Sequence, residues 1–300
     1  MKKKSKLQNK VEKIESLLDV SKIVKDDANS IKNIKKYYGI NYLAYRMFHS
    51  EKGFMHFRVT KGNAFNDNDV LYQPNMVSSY IPKNAKVVEL GFGQGANICY
   101  IAKKHPDSSF VGVDLSSPKV KIGFPKNVKT YKHDYRNLSF IESSSVDVVY
   151  GIETIVHCSD KIKVFNEVAR ILKKDGILIM YDYVLANKID AYLPYQQTAI
   201  KIISNGGAAA VIESAEEWED YFSKSGLTNI KTTDYHKEIL PDLKRLEHKA
   251  SHIMNYDKRI KWVFKLFSNK FVNNILLGWL GYDAYNENIG YYNEYIYKKL

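Results

Sequence analysis

Between residues 86 and 183 the chain alternates short β-branched apolar runs with stretches of helical period. We read strands at 86–90, 110–114, 128–133, 146–152 and 176–183, with helices at 96–104 and 161–173 between them. Apolar strands alternating with helices predict a parallel sheet covered on both faces. The stretch LSFIESSS (138–145) breaks both periods and reads as loop. Upstream, Leu7, Val11, Ile14, Leu17 and Leu18 recur at helical spacing, and a second helix is expected over 31–45. Downstream we expect a helical insert at about 186–208, a helix at about 215–225 and a strand near 228–235. Mostly helical sequence follows over 237–285, and YYNEYIYKKL closes the chain as a last strand.

With 45% hydrophobic and 26% charged residues, the chain can bury a sizeable core, and disordered, collagen-like and disulfide-scaffold classes are excluded. The longest apolar run near a terminus, 275–282, is far too short to span a bilayer. The opening MKKKSKLQNKVEKIESLL has basic residues but no apolar stretch of the kind an export signal needs. Cys99 and Cys158 are the only cysteines, which fits a reducing, cytoplasmic setting. The net charge of +12 is concentrated at the ends. Residues 1–37 carry eleven lysines against five acids, and residues 244–300 carry ten basic residues against five acids. Such ends attract anionic partners, with a solvated surface as the simpler reading, membrane contact second and nucleic acid third.

The chemistry begins at KVVELGFGQGANICYIA (86–102), where a buried strand runs into Gly91, Gly93 and Gly95 and then into a helix. Glycines there permit a tight turn and let backbone N–H groups approach a ligand at a helix N-terminus. The spacing is Gly-x-Gly-x-Gly, and Glu89 stands two residues ahead of it. A carboxylate at that place repels a pyrophosphate and suits a ligand carrying an ammonium or sulfonium charge. The next strand ends in Asp114, placed to accept hydrogen bonds from ribose hydroxyls. The third ends at Asp134 and Tyr135, and the fourth delivers Glu153 to the same rim. Each acid alone reads as a cap or turn residue; four in phase after one glycine loop read as a site.

These motifs, over roughly 70–235, resemble class I methyltransferases that use S-adenosylmethionine. The stretch VVYGIETIVHCSDKIKVFNEVARILKKDG (148–176) is similar to the "IEATCHAP…VLKPG" region of sterol C-methyltransferases and related small-molecule methyltransferases. MFHSEKGFMHF (47–57) is similar to their upstream aromatic element, although Val156 replaces their cysteine and most of the upstream aromatics are absent. The resemblance implies an α/β, Rossmann-like sheet of seven strands. A helical cap would occupy residues 1–70 and the methyltransferase domain 71–300, with helical substrate inserts at 186–212 and 237–285 before and after strand six. It implies S-adenosylmethionine as cofactor, bound by Gly91, Gly93, Gly95, Glu89, Asp114, Leu115, Asp134, Tyr135 and Ile152. Tyr45, His49 and His56, on or near the upstream element, become the substrate-side candidates.

Glu153 is the candidate for stabilising a cation or taking a proton, with binding of the cofactor as the alternative role. His157, four residues on, is either a base or a structural hydrogen-bond partner. No metal site is expected: His248 and His252 lie four apart but lack the glutamate of a zinc-protease helix. On a helical wheel Ile260, Val263, Phe264, Phe267, Phe271 and Ile275 share one face and Lys258, Lys261 and Lys265 the opposite one. That pattern over 258–280 reads as a packed lid helix, or else as a basic amphipathic helix on an anionic membrane. The expected reaction is methylation of a small molecule, with a hydrophobic isoprenoid- or sterol-like acceptor and C-methylation favoured. The rivals are N- or O-methylation of a small polar amine or natural product and a non-catalytic S-adenosylmethionine-binding protein. A nucleic-acid methyltransferase is disfavoured, because strand four ends in GIETIVH instead of an Asn/Asp-Pro-Pro-aromatic turn.

Overall fold

The structure is a computed structural model and describes residues 3–24, 53–62, 64–118, 123–209, 212–255, 264 and 268–300. Seven strands form one sheet: β1 (Lys86–Leu90), β2 (Ser109–Asp114), β3 (Val128–Lys132), β4 (Val146–Ile152), β5 (Leu172–Leu185), β6 (Leu227–Asp234) and β7 (Gly290–Lys299). Their order is β3-β2-β1-β4-β5-β7-β6. β7 is antiparallel to both its neighbours, and the pairs among β1 to β5 are parallel. The helices are α1 (Lys6–Leu17), α2 (Val20–Val24), α3 (Tyr72–Ser79), α4 (Ala96–Lys104), α5 (Lys161–Ile171), α6 (Pro194–Gly206), α7 (Ala215–Lys224), α8 (His236–Met254) and α9 (Asn269–Asn286).

Side chains alternate across the central strands, so each strand feeds two cores. Val88, Leu90, Val149 and Leu178 pack with Val164, Phe165 and Val168 of α5 and with Trp218 and Phe222 of α7. Val87, Val148, Tyr150 and Ile179 face the other way, toward Ile98 and Ile101 of α4, Val77 of α3 and Leu243 of α8. A third core has no strand in its centre: Leu7, Val11 and Ile14 of α1 meet Ile200 and Ile202 of α6 and Leu276, Trp279 and Leu280 of α9. Lys10 secures α1 there, reaching Glu247 at 2.8 Å, Asp283 at 2.7 Å and the Trp279 carbonyl at 2.7 Å.

The expected α/β sheet and its helical inserts are present, with two differences. β5 starts at Leu172 and not near 176, because Val146 pairs with Leu172 and Val148 with Ile177. Residues 173–176 therefore bulge out of the strand, with Asp175 at φ +60°, and KKDG reads as a turn for that reason. The expected boundary at 70/71 falls within a continuous stretch, since the 3₁₀ turn Asp67–Leu71 runs straight into α3. Phe57 and Val59, upstream of that boundary, belong to the same core as β1. The expected helix over 31–45, and all but Phe264 of 256–267, lie outside the described residues. Phe264 and Ile275 are buried. Among the described residues no helix is long and apolar enough to cross a membrane.

Candidate active site

A cleft of about 950 Å³, counting its open mouth, lies at the carboxyl ends of β1, β2 and β4. Strand order reverses there, with β2 and β3 on one side of β1 and β4 on the other. A crevice outside the strand ends at such a reversal is where open α/β sheets bind ligands. The floor is the loop after β1. Gly91, Gly93 and Gly95 have φ of +70°, +53° and +85°, a region that L side chains seldom occupy. Gly91 also has no room for a side chain, because a Cβ there would overlap Thr154. Gly95 N-caps α4.

Asp114, ending β2, ties this loop in place. One carboxylate oxygen accepts from Gly93 N at 2.9 Å, and the other accepts from Ser116 N at 2.8 Å and Ser116 Oγ at 3.0 Å. Asp114 remains partly exposed and lines the cleft beside Leu115 and Ser116. Tyr135 and Ile152 line it as well, and the Tyr135 hydroxyl donates to the Thr154 carbonyl at 3.1 Å. Asp134 does not line the cleft among the described residues. It forms a two-pronged pair with Arg136, at 3.1 Å from Nε and 2.7 Å from Nη2. Burial works against its charge, but the Arg136 bonds prevail and hold the carboxyl below its usual range.

Glu89 is 2% exposed, and its Oε2 has no hydrogen-bond partner. Burial pushes its carboxyl up to about 8, against the opposing effect of Tyr150. A buried oxygen left unpaired costs free energy unless a ligand supplies the donor. Neither Glu89 nor Gly95 lines the cleft itself.

Glu153 also lines the cleft, with φ at +50° in a region where a non-glycine residue is strained. Its backbone N–H donates to the Tyr181 carbonyl at 2.7 Å. Oε1 accepts from Phe57 N at 2.6 Å and Tyr292 Oη at 2.9 Å. Burial pushes this carboxyl up to about 8 despite those two donors. His157 lines the cleft one turn further on, and its Nδ1 bonds the Ala208 carbonyl at 3.0 Å. A carbonyl only accepts, so the proton sits on Nδ1 and the lone pair on Nε2. Burial depresses the imidazole to about 4, well below the value near neutrality that suits a general base.

His56 also faces the cleft, between the Phe57 carbonyl at 3.0 Å and the Asn97 side chain at 3.2 Å. Burial lowers its pKa, and the two groups it meets, the Phe57 carbonyl and Asn97 Oδ1, are both oxygens that accept. Tyr45 and His49 lie outside the described residues. Among the described residues no cluster of His, Cys, Asp and Glu can hold a metal, and His248 and His252 bond each other at 3.2 Å. Cys99 and Cys158 are buried free thiols.

The sequence reading missed several participants. Thr154 fills the space under Gly91, and Met55, Asn97 and Ser116 line the cleft. Asp182, fully buried in β5, accepts from Ile155 N at 3.0 Å and Val156 N at 3.1 Å and so shapes the turn that carries His157. An acid in the middle of the apolar run ILIMYDYVL was the signal that could have found it.

A family model described as a methyltransferase domain matches residues 88–180. The chain is 26% identical over 162 residues to the sterol 24-C-methyltransferase of Pneumocystis carinii (strain B80), which covers 51% of this chain and 42% of that protein. The chain thus matches less than half the length of that relative. Among solved structures, a putative sarcosine dimethylglycine methyltransferase from Galdieria sulphuraria superposes with a TM-score of 0.66 at 16% identity, covering 86% of this chain and 97% of the other. Geranyl diphosphate C-methyltransferase from Streptomyces coelicolor A3(2) superposes with a TM-score of 0.65 at 12% identity, covering 93% and 98%. At those identities the two structures speak for the fold alone. The family match over residues 88–180, the β1 glycine loop and the acid at the end of β2 agree with the expectation of a class I, S-adenosylmethionine-dependent methyltransferase domain.

Proposed function

We propose that the protein transfers a methyl group from S-adenosylmethionine to a carbon of a hydrophobic, isoprenoid- or sterol-like small molecule. The observation that carries this reading is that Glu153 lines the same cleft as Gly91, Gly93 and Asp114. The cofactor's residues fit their task. Gly91 and Gly93 offer backbone without side chains, Asp114 offers a partly exposed carboxylate for ribose hydroxyls, and Glu89, buried beside the loop and outside the cleft lining, holds a carboxyl that would ionise against an ammonium group. When bound, S-adenosylmethionine supplies an activated methyl on a positive sulfur.

The chain's own work is then alignment and charge. Met55 and His56, on the stretch before β1, give an apolar acceptor a place to lie in the same cleft as the glycine loop. When one carbon of an alkene accepts the methyl, its partner in the former double bond becomes cationic, and a proton must leave a carbon beside that cation to restore an alkene. Glu153 is placed to stabilise that cation and take the proton, and at about 8 it is a stronger base than an ordinary carboxylate. His157 orders the wall through Ala208. Similarity to sterol 24-C-methyltransferases supports an acceptor of this class.

The test is transfer from methyl-labelled S-adenosylmethionine to a sterol, a prenyl diphosphate and a small amine, offered separately. Label in the solvent-extracted sterol or prenyl product upholds the reading. Label in the amine alone replaces it with N-methylation. Cofactor binding with no transfer to an extract of the source cells leaves a binding protein.

A further inference from the structure

Both ends of the Phe57 peptide belong to one closed ring of hydrogen bonds. Its N–H donates to Glu153 Oε1 at 2.6 Å, and its carbonyl accepts from Gln73 Nε2 at 2.6 Å. Gln73 Nε2 also donates to Tyr292 Oη at 3.1 Å, and Tyr292 Oη donates to Glu153 Oε1 at 2.9 Å. The members come from four places remote in sequence: the stretch before the first strand, α3, the residue after β4, and β7. Gln73 and Tyr292 are both 0% exposed.

The direction of every bond in this ring is forced. A carbonyl only accepts, so the Phe57 oxygen turns the Gln73 amide nitrogen toward itself. That nitrogen only donates, so Tyr292 accepts from it and commits its own proton to Glu153. Gln73 Oε1, the oxygen left over, is buried without a partner, which is the cost of this orientation.

We propose that Tyr292 and Gln73 are positioning residues that hold the Glu153 carboxylate in one orientation on the cleft wall. Glu153's service in methyl transfer rests on the reading above; the ring does not. Donors on a carboxylate favour its charged form. The groups facing Glu153 pull in opposite directions. Asp182 on β5 and Asp242 on α8 repel its charge, while Phe57 N–H and Tyr292 support it. Tyr285 on α9 also feels that charge. Removing the Tyr292 proton therefore leaves burial and two acids with less to oppose them.

The experiment follows the Glu153 carboxyl directly, by carbon NMR of protein labelled at the glutamate carboxyl carbons, with Glu153→Gln identifying the signal. The wild type should titrate near pH 8. Tyr292→Phe should raise that midpoint by about half to one pH unit, and Gln73→Leu, which frees the Tyr292 proton to turn away, by a smaller amount. Both should bind S-adenosylhomocysteine within about twofold of wild type, since the Asp114 contacts are untouched. A folded, ligand-binding Tyr292→Phe with an unmoved midpoint overturns the proposal. Should Tyr292→Phe fail to fold, an unmoved midpoint in Gln73→Leu overturns it equally. The titration needs no acceptor, so its failure is distinct from a failure to observe methyl transfer.

Discussion

Thr154 stands where a Cβ on Gly91 would be, so the loop that opens the cofactor cleft and the turn that follows Glu153 are fitted against each other. Gly91 is held there with φ at +70° and its N–H on the Val113 carbonyl at 2.7 Å. Gly91→Ala should then cost about 2 kcal/mol or more through overlap and backbone strain combined. A lowered denaturation midpoint together with lost S-adenosylmethionine binding is the expected result. Adding Thr154→Gly should recover part of the stability, because it removes the overlap and leaves only the strain. No recovery in the double variant would mean that the overlap is not what excludes a side chain.

Asp114 gives its two carboxylate oxygens to Gly93 N and to Ser116. Asp114→Ala removes both the acceptor for ribose hydroxyls and the tie on the glycine loop. Hydrogen bonds to a charged group contribute about 1.5–3 kcal/mol, so affinity for S-adenosylmethionine should fall roughly 10- to 100-fold. Asp114→Asn retains an acceptor oxygen and should fall less. Titration calorimetry reads both, and equal affinities for the alanine variant and wild type would remove Asp114 from the binding site.

The central sheet and the strand-end acids were legible because they rest on local signals: apolar runs of strand length, glycines after the first, and an acid closing each strand. β1, β4, α4 and the loop at 138–145 follow the sequence pattern closely for that reason. The fate of each acid was not legible. Asp114 and Glu153 face the cleft, but Asp134 is taken up by Arg136 two residues away, a local pairing that an extended strand-end reading overlooks. The closure of Gln73, Tyr292 and Phe57 on Glu153 spans up to 219 residues between partners, and no short-range pattern carries it. His157 was readable from its residue type either as a base or as a structural partner, and its burial, which depresses the ring to about 4 against the opposing bond to the Ala208 carbonyl, is a tertiary effect that no local pattern carries.

Glu89 links stability to pH with a definite sign. Its carboxyl lies near 8 in the fold against 4.5 for the free group, so the folded state holds a proton that the unfolded chain has lost between those values. Its contribution is complete below pH 4.5 and disappears as pH rises through 8. Glu89→Gln cannot ionise and should melt higher than wild type at pH 9, by roughly 2–4 °C for about 1 kcal/mol, with little difference at pH 4. The same variant should bind S-adenosylmethionine more weakly, since the amide cannot ionise against the ammonium group as the carboxyl would. Melting curves at the two pH values, set beside one binding isotherm, check both halves. A higher melting point at pH 4 than at pH 9 in the variant relative to wild type would contradict the sign.

His157 titrates in the opposite sense. Its folded value near 4 lies below the free value of 6.5, so its contribution is present above 6.5 and is lost as pH falls through 4. His157→Asn places an amide N–H where Nδ1 donated to Ala208 and removes the titrating ring. Stability at pH 7 should drop by less than about 1 kcal/mol, and the loss between pH 6.5 and 4 should become shallower than in wild type. If His157 were the general base, the variant would lose roughly 100-fold or more in turnover. As a support for the wall it should raise KM more than it lowers kcat, and the rise of turnover with pH toward 8, which belongs to Glu153, should survive unchanged. A pH profile of methyl transfer from labelled cofactor separates the two outcomes: disappearance of that rise in His157→Asn would return the proton to the histidine.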